Sequence, residues 1–287
     1  MGMVSMVSSR VGCQGEGAYT GFTGGLHEVK VKRLTISNFR GVAHAVVHLA
    51  GLAHSKNAGA EEAYDRINAE ATLRLANACV ARISRFVFAS SIRAISGPTT
   101  DEILDDDSPP KPTDAYGRSK LMAERGLALL DLPTTILRPV VVYGEGAKGN
   151  LARIASLADS PLPAPVGALR AARSFLSADN LVSAVLFSLE QTGTGTQSFV
   201  LADPEPSSVA DLFAGLRAGL GRPARIMEVS SRLLSVAAQV AGQAENWALL
   251  SGALAVRPRK LLEAGWSPRI KSTREGARLW GESIHRR

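Results

Sequence analysis

Cysteines, aromatic residues and long apolar runs are all scarce in this sequence. Cys13 and Cys79 are the two cysteines among 287 residues, and neither has a C-x-x-C partner, so a disulfide framework is not expected and a reducing cytosol fits. No apolar run reaches the roughly 18 residues that a membrane-spanning helix needs. The opening MGMVSMVSSR lacks the charged segment and apolar core of a signal peptide. We therefore expect a cytoplasmic protein without a membrane partner.

The charge balance is basic, with a net charge of +7 and a pI of about 9.7. A basic protein can bind nucleic acid. Here, however, the lysines and arginines are scattered, with no long basic run and no interleaved aromatic residues. The sequence predicts no nucleic-acid partner, although an anionic nucleotide substrate would use part of the charge.

The most informative stretch runs from residue 86 to residue 120. It begins with an apolar, β-rich sequence that predicts a strand from Arg85 to Ser90. Ser90 and Ser91 lie where this strand ends, and a proline-rich loop comes next. A helix should begin after Asp114, a suitable N-cap. These signals place two hydroxyl groups at a strand end and a helix start nearby in the chain.

Tyr116 and Lys120 lie four residues apart, so a helix brings them to one face, one turn from each other. A free tyrosine has a pKa near 10 and is a poor base at neutral pH. A neighbouring ammonium favours the phenolate, so we expect Lys120 to lower the pKa of Tyr116. Ser91 would hold the substrate oxygen, and the trio would transfer a proton from an alcohol undergoing oxidation. The alternative is that Tyr116 and Lys120 have only structural roles, because the spacing Tyr-x-x-x-Lys alone is common.

The chain resembles an extended short-chain dehydrogenase/reductase of the NAD-dependent epimerase/dehydratase type. Within that group it is most similar to bacterial nucleotide-sugar 4-epimerases and 4-ketoreductases. The resemblance covers the chain from about residue 41 to its end. It rests on VVHLAGLAH (46–54), INAEATLRLANAC (67–79), FVFASSIRAISG (86–97), YGRSKLMAE (116–124), LRPVVVYGEG (137–146) and RSFLSADNLV (173–182).

The resemblance implies an α/β fold, with a Rossmann-like parallel sheet flanked by helices and a small C-terminal substrate lobe. The core would comprise residues 45–145 and 170–202. The lobe would comprise residues 146–169 and 203–287. Residues 1–44 would form a remnant or irregular N-terminal segment.

That N-terminal segment is short for the family. One βαβ unit takes about 30 residues, so two crossovers before Ala45 would need about 60, and 44 residues precede it. We expect this part of the Rossmann fold to be truncated. Gly17, Gly21 and Gly24 resemble the phosphate-binding glycine turn with one extra residue, but an irregular tail is the alternative that the spacing favours.

The resemblance also implies roles for individual residues, with NAD as the cofactor and a UDP-sugar as the substrate. Ser91, Tyr116 and Lys120 would be catalytic. The expected cofactor-binding residues are Leu49, Ala50, Gly51, Asn68, Ser90, Tyr116, Lys120 and Pro139. The expected substrate-binding residues are Ser91, Tyr116, Asn150, which would meet the base or ribose, and Arg173, which would meet the diphosphate.

The implied reaction is inversion at C4 of UDP-glucose, UDP-galactose or a UDP-N-acetylhexosamine through transient oxidation. A second hypothesis is an NAD(P)H-dependent reductase of a 4-keto nucleotide sugar, which would use the same trio. A third is a remnant that only binds a nucleotide sugar or a partner. Family habit suggests a homodimer. We expect no metal site, because His48 and His54 lack a ligand-rich partner motif and the acids between residues 101 and 107 are typical of a solvated loop.

Several element boundaries follow from periodicity and capping. A weak strand is expected at Met3–Arg10. Helices are expected at Glu61–Arg82 and Ala115–Leu130, and an apolar helical region is expected over 231–256. Three further expectations concern the second half of the chain: a buried strand at Thr134–Tyr143, a helix capped by Asp179, and a helix capped by Ser207 or Ser208.

Overall fold

The computed structural model describes residues 6–8, 45–53 and 60–286, and its centre is a five-stranded sheet in the order β1-β2-β3-β4-β7. Strands β2 to β4 and β7 run parallel, and β1 pairs antiparallel with β2 at the edge. The expected α/β fold with a parallel sheet is confirmed. The strands are β1 Met6–Ser8, β2 Ala45–His48, β3 Arg85–Ala89, β4 Thr134–Pro139, β5 Val142–Tyr143, β6 Leu176–Ser177 and β7 Thr196–Leu201.

The helices lie between and beyond these strands. A short 3₁₀ helix spans Ile92–Ala94, and a π turn at Asp65–Glu70 joins the first two α-helices. The α-helices are α1 Ala60–Tyr64, α2 Ala71–Cys79, α3 Ala115–Leu127, α4 Gly149–Asp159, α5 Ala178–Glu190, α6 Val209–Gly219, α7 Ser231–Val240, α8 Ala244–Ser251, α9 Arg259–Glu263 and α10 Thr273–His285.

The central strands are apolar on both faces because both faces are covered. Phe86 and Phe88 of β3 are fully buried on the side where Ala123 and Leu127 of α3 pack. Val87 points to the other side, into a cluster that contains Trp266 and residues of β4, β7 and α5. The sheet is therefore a middle layer with an apolar cluster on each side.

A third apolar cluster, the lobe cluster, includes helices from the part of the chain where the sequence predicts a substrate lobe. It joins α4, α6 and α10 through residues such as Phe213 and Trp280, and it also takes in Tyr143 and Phe175. The proposed division at residues 145, 170 and 202 stays a prediction. Helix α7 is different, because none of its residues is buried and Val240 is 87% exposed.

Several boundaries differ from expectation. The strand expected at 134–143 breaks after Pro139, and β5 leaves the main sheet to pair with β6. The region 231–256 forms two helices, α7 and α8, and the second ends at Ser251. Gly242 lies between them in a left-handed conformation that favours glycine. Helix α3 ends at Leu127, three residues earlier than expected.

Capping residues explain the starts of two helices. The N-cap of α5 is Ser177, whose hydroxyl accepts the Asn180 N–H, so the expectation of Asp179 was wrong by two positions. Asp179 lies in the first turn, where a carboxylate is favoured by the helix dipole. Ser208 caps α6, as one of the two candidates.

The N-terminal predictions fall mainly outside the described residues. The weak strand expected at residues 3–10 is present over Met6–Ser8. Gly17, Gly21, Gly24 and His54 lie outside the described ranges. Within those ranges, no helix is both long and apolar enough to cross a membrane.

Candidate active site

The candidate site lies where strands β2, β3 and β4 end. Because these strands are parallel, their carboxyl ends meet at one edge of the sheet, which is where dinucleotides bind in open α/β folds. Leu49 and Ala50 follow β2, and Pro139 ends β4. These three predicted cofactor-side residues thus share an edge with Ser90 and Ser91.

The two serines at the end of β3 have different partners. The buried hydroxyl of Ser90 donates to the Glu124 carboxylate on α3. The Ser91 oxygen accepts the Arg93 N–H at 3.2 Å and so caps the short 3₁₀ helix. Ser91 also lies close enough to the Tyr116 phenol to lower its pKa.

Tyr116 lies in the first turn of α3, at a helix start fixed by a side-chain cap. Asp114 accepts the Gly117 N–H at 2.7 Å, which confirms the expected N-cap. Ser119 donates its hydroxyl to the Tyr116 carbonyl at 2.8 Å. The Tyr116 ring meets the Tyr64 ring edge-on, with centroids 5.9 Å apart.

The pKa of Tyr116 is shifted opposite to the expected direction. Burial raises the pKa of this phenol, and the hydrogen bond from Ser91 and the positive charge of Arg93 partly oppose the rise. Lys120 was expected to supply that opposing charge. The structure shows Arg93 in this role, because Lys120 is engaged elsewhere.

Lys120 lies against strand β3. Its ammonium donates to the Ala89 carbonyl at 2.9 Å and sits 4.7 Å above the Phe88 ring centre. Burial lowers the pKa of Lys120 to about 8, and the nearby Glu124 carboxylate works against this shift. The side chain therefore changes charge close to neutral pH.

Asn68 braces the end of β2. Its amide oxygen accepts the Leu52 N–H at 2.7 Å, and its amide nitrogen donates to the Leu52 carbonyl and to Ser119 Oγ. A Cβ on Gly51 would lie 3.1 Å from both Asn68 Oδ1 and Lys120 Nζ. Asn68 sits in the π turn, and such turns often occur at functional sites.

The two other predicted substrate residues lie in different places. Asn150, in the first turn of α4, lines a mainly apolar cavity of about 260 Å³ with Trp247 and Leu250 of α8. None of the residues that line this cavity belongs to the trio of Ser91, Tyr116 and Lys120.

Arg173, in contrast, lies close enough to Arg93 for the two charges to interact. Burial and, as a smaller cause, the charge of Arg93 together lower the pKa of Arg173 to about 10. Its guanidinium donates to the Gly252 carbonyl at 2.7 Å and to the Pro98 carbonyl at 3.2 Å. Because a guanidinium carries five N–H donors, these two bonds leave capacity for a phosphate.

Among residues 6–8, 45–53 and 60–286, no group of three or more potential ligands is placed to hold a metal ion. His48 is part of the packing: it stacks on Phe88, and its Nε2 lies 3.0 Å from Thr72 Oγ1. The Thr72 hydroxyl donates to the Asn68 carbonyl, so its oxygen accepts from His48 Nε2–H. This assigns the tautomer of the neutral ring.

Sequence reasoning missed two charged residues of this site. Arg93 follows Ser91 by two positions, and no periodicity distinguishes it from a surface arginine. No signal in the sequence indicated a contact for Glu124, yet it forms a buried ion pair with Arg138, at 2.7 Å between Arg138 Nη2 and Glu124 Oε2. Both residues make contacts that join different elements of the fold.

Comparison with known proteins gives a family match. A model of the "NAD dependent epimerase/dehydratase family" matches residues 26–202. A "UDP-glucose 4-epimerase" of Vibrio cholerae is 29% identical over 234 residues, which cover 78% of this chain and 71% of that protein. A "3-diazoavenalumate denitrifying reductase" of Streptomyces is 29% identical over 222 residues, which cover 74% and 70%.

Solved structures share the fold. "MoeE5 in complex with UDP-glucose and NAD" has a TM-score of 0.63 at 23% identity, covering 85% of this chain and 80% of that one. "RMD from Pseudomonas aeruginosa complexed with NADPH" has a TM-score of 0.65 at 22% identity, covering 87% and 84%.

Proposed function

Because this chain belongs to the NAD dependent epimerase/dehydratase family, we propose that it is a nucleotide-sugar 4-epimerase. Its substrate would be UDP-glucose, UDP-galactose or a UDP-N-acetylhexosamine, inverted at C4. The observation that carries this proposal is that Ser91, at the carboxyl end of β3, lies close enough to Tyr116 to influence the pKa of its phenol. The similarity to the Vibrio cholerae enzyme supports the choice of reaction.

The residues at this edge of the sheet fit the family's cofactor, NAD. Gly51, shortly after β2, has no side chain, and a Cβ at this position would crowd Asn68 and Lys120. Leu49, Ala50, Ser90 and Pro139 would line the cofactor, and Lys120 would hold its ribose. When bound, NAD would supply the hydride-accepting and hydride-returning chemistry at C4.

The protein's own contribution is then proton transfer and orientation. Tyr116 would take the proton of the 4-hydroxyl as the C4–H bond breaks, and it would return that proton after the 4-keto sugar has turned over. Ser91 would orient the 4-oxygen by a hydrogen bond. Arg173 would meet the diphosphate and Asn150 the base or ribose. The two proton transfers together return the enzyme to its starting protonation state, as an isomerisation requires.

Burial makes Tyr116 a weaker acid, so its use as a base depends on nearby positive charge and hydrogen bonds. Ser91 and Arg93 oppose the effect of burial, and a cationic nicotinamide ring would add to them.

A 4-ketoreductase is the second candidate. It would use the same trio but would release the oxidised cofactor after one transfer. The similarity to the Streptomyces reductase supports it. A steady decrease in NADPH with a 4-keto nucleotide sugar would identify the reductase, whereas conversion between two 4-epimers without net NADPH loss would identify the epimerase.

The first experiment measures thermal shifts of the purified protein with NAD, with NADPH and with UDP-glucose or UDP-N-acetylglucosamine. Stabilisation by both a cofactor and a UDP-sugar is expected. Stabilisation by the sugar alone would favour a remnant that only binds a nucleotide sugar, and no stabilisation by any of them would reject the proposal.

Turnover is then tested in a variant of the proposed base. Tyr116→Phe should abolish epimerisation while NAD still shifts the melting temperature. Tyr143→Phe, which removes a buried phenol oxygen in the lobe cluster, is the matched control and should keep activity per folded molecule. Full activity of Tyr116→Phe would exclude Tyr116 as the base.

The homodimer and the cytoplasmic location stay predictions. The apolar exposed residues of α7, such as Leu233 at 66% exposure, offer one surface for dimerisation, and light scattering would measure the mass in solution. The location is a prediction from the cysteine count.

A further inference from the structure

Arg93 contacts both parts of the candidate site, the turn that carries Ser91 and the helix that carries Tyr116. It lies in the 3₁₀ helix directly after Ser91, and its backbone N–H is bonded to the Ser91 oxygen at 3.2 Å. Its guanidinium forms an ion pair with Asp114. Asp114 is the N-cap of the helix that carries Tyr116. One residue therefore contacts both the serine turn and the start of the tyrosine helix.

The backbone of Arg93 makes a second contact with the same helix. A Cβ added to Gly117 would overlap the Arg93 carbonyl oxygen, so the turn and the helix touch without an intervening side chain. Gly117 is buried and follows Tyr116 directly. The spacing between Ser91 and Tyr116 is thus set by two independent contacts of Arg93, one from its side chain and one from its main chain.

Arg93 also has a hydrogen-bond donor that no described residue accepts. Asp114 is the carboxylate with which it pairs, while Arg93 Nε is buried and finds no acceptor among the described residues. Arg173 adds a second positive charge nearby. The groups that face Tyr116 are Ser91 and Arg93 from the turn and Tyr64 from α1, and Lys120 lies one helical turn further on.

We propose that Arg93 is a positioning residue of the candidate active site. It holds the turn that carries Ser91 against the first turn of the helix that carries Tyr116, and it presents a cation to the phenol. Lys120 is not one of the groups that act on the phenol, and its ammonium is bonded to the Ala89 carbonyl of β3. Through this arrangement Arg93 stabilises the phenolate without contacting the sugar.

This inference deepens the proposed function, but its first test does not need turnover. The ionisation of Tyr116 is followed by near-ultraviolet phenolate absorbance, as the difference between each protein and the same protein carrying Tyr116→Phe. Replacement of Arg93 by an uncharged residue, Arg93→Gln, should raise the titration midpoint of Tyr116 by about one pH unit.

The matched control is Arg118→Gln. Arg118 lies in the same helix, two residues after Tyr116, and pairs with Glu61 at the surface, where it is 49% exposed. Solvent screens such a charge, so its removal should leave the Tyr116 midpoint unchanged. An equal rise in both variants, or no rise in Arg93→Gln, would overturn the proposal.

Kinetics supply the second measurement. If the phenolate is the base, a midpoint raised by about one pH unit lowers kcat about tenfold at neutral pH, and KM should change less because Arg93 does not contact the sugar. Arg93→Lys should give intermediate values, since an ammonium keeps the charge but lacks the planar fork. An inactive wild-type protein with the expected titration shift would reject the epimerase proposal and leave this inference standing.

The lysine variant also covers a failure to fold. If Arg93→Gln does not yield folded protein by circular dichroism, Arg93→Lys decides the matter alone. A wild-type midpoint together with a wild-type kcat in Arg93→Lys would then overturn the positioning role, whereas intermediate values would support it.

Discussion

Glu124 and Arg138 form a buried ion pair that ties helix α3 to strand β4. Arg138 Nη2 lies 2.7 Å from Glu124 Oε2, and Arg138 Nε lies 3.1 Å from Glu124 Oε1. The Arg138 side chain is 10% exposed and that of Glu124 is 4% exposed. Ser90 donates to the same carboxylate. The pair therefore connects the tyrosine-bearing helix, the strand beside it and the predicted cofactor edge.

Breaking this pair should strongly destabilise the protein. Glu124→Gln leaves the Arg138 charge buried without a counter-charge, which costs about 3–5 kcal/mol, and chemical denaturation would measure the loss. Glu70→Gln is the control, because Glu70 pairs with Arg74 at the surface at 3.4 Å and such pairs contribute about 0–1 kcal/mol. Equal losses in the two variants would contradict the assigned burial effect.

The His48 ring should make stability fall in mild acid. Burial, and secondarily the charge of Lys120, lowers the pKa of His48 from 6.5 to about 4. The unfolded chain therefore takes up a proton near pH 6.5 that the folded protein refuses until about pH 4. The stabilising contribution is present above pH 6.5 and is lost as the pH falls through this window.

The loss amounts to about 3 kcal/mol at most for a shift of this size. In His48→Gln, whose side chain does not titrate, urea unfolding between pH 7 and pH 4 should show a shallower decline, by about that amount. Parallel declines in the two proteins would show that another group controls the acid sensitivity.

Gly117 should not tolerate a side chain. Because a Cβ would overlap the Arg93 carbonyl, Gly117→Ala must push the Ser91 turn away from α3, at a cost of about 1–3 kcal/mol. The proposed epimerase activity per folded molecule should also fall, since the displaced turn carries Ser91. Gly193→Ala is the control, because its nearest neighbour is Gln197 Nε2 at an ordinary 3.8 Å.

If Gly117→Ala and Gly193→Ala had the same activity, the close approach of turn and helix would be irrelevant to function. Activity and melting temperature measured on the same preparations separate a displaced turn from a general loss of folded protein.

Tyr143 and Gly276 should be energetically coupled. Tyr143 donates its hydroxyl to Asp203 Oδ2 at 2.8 Å, and a Cβ on Gly276 would overlap that hydroxyl oxygen. Tyr143→Phe should cost about 1–3 kcal/mol, because it removes a buried hydrogen bond to a carboxylate. Gly276→Ala should cost a similar amount through overpacking.

The double variant should be less destabilised than the sum of the single variants, by about 0.5–3 kcal/mol, since Tyr143→Phe removes the atom that the new methyl group would meet. A residual cost should remain, because Ile270 lies 2.9 Å from the same Cβ position. Strict additivity in unfolding free energies would contradict the coupling.

The sequence by itself determined the parallel sheet and the helix that presents Tyr116. Runs such as residues 85–89 are apolar at successive positions, which suits a strand covered on both faces. The Asp114 cap and the Ser208 cap were also predictable, because an N-cap acts on backbone groups two or three residues away. Both kinds of signal are local in the chain.

The tertiary structure alone decided the electrostatics of the site. Local signals in a sequence cannot place Arg93 beside Tyr116, Lys120 against Ala89, or Glu124 beside Arg138, because each contact joins elements set in place by packing. The pKa of a buried group depends on desolvation and on charges within a few ångströms, whatever their separation in the chain. The spacing of Tyr116 and Lys120 therefore predicted the helix face correctly but not which cation would act on the phenol.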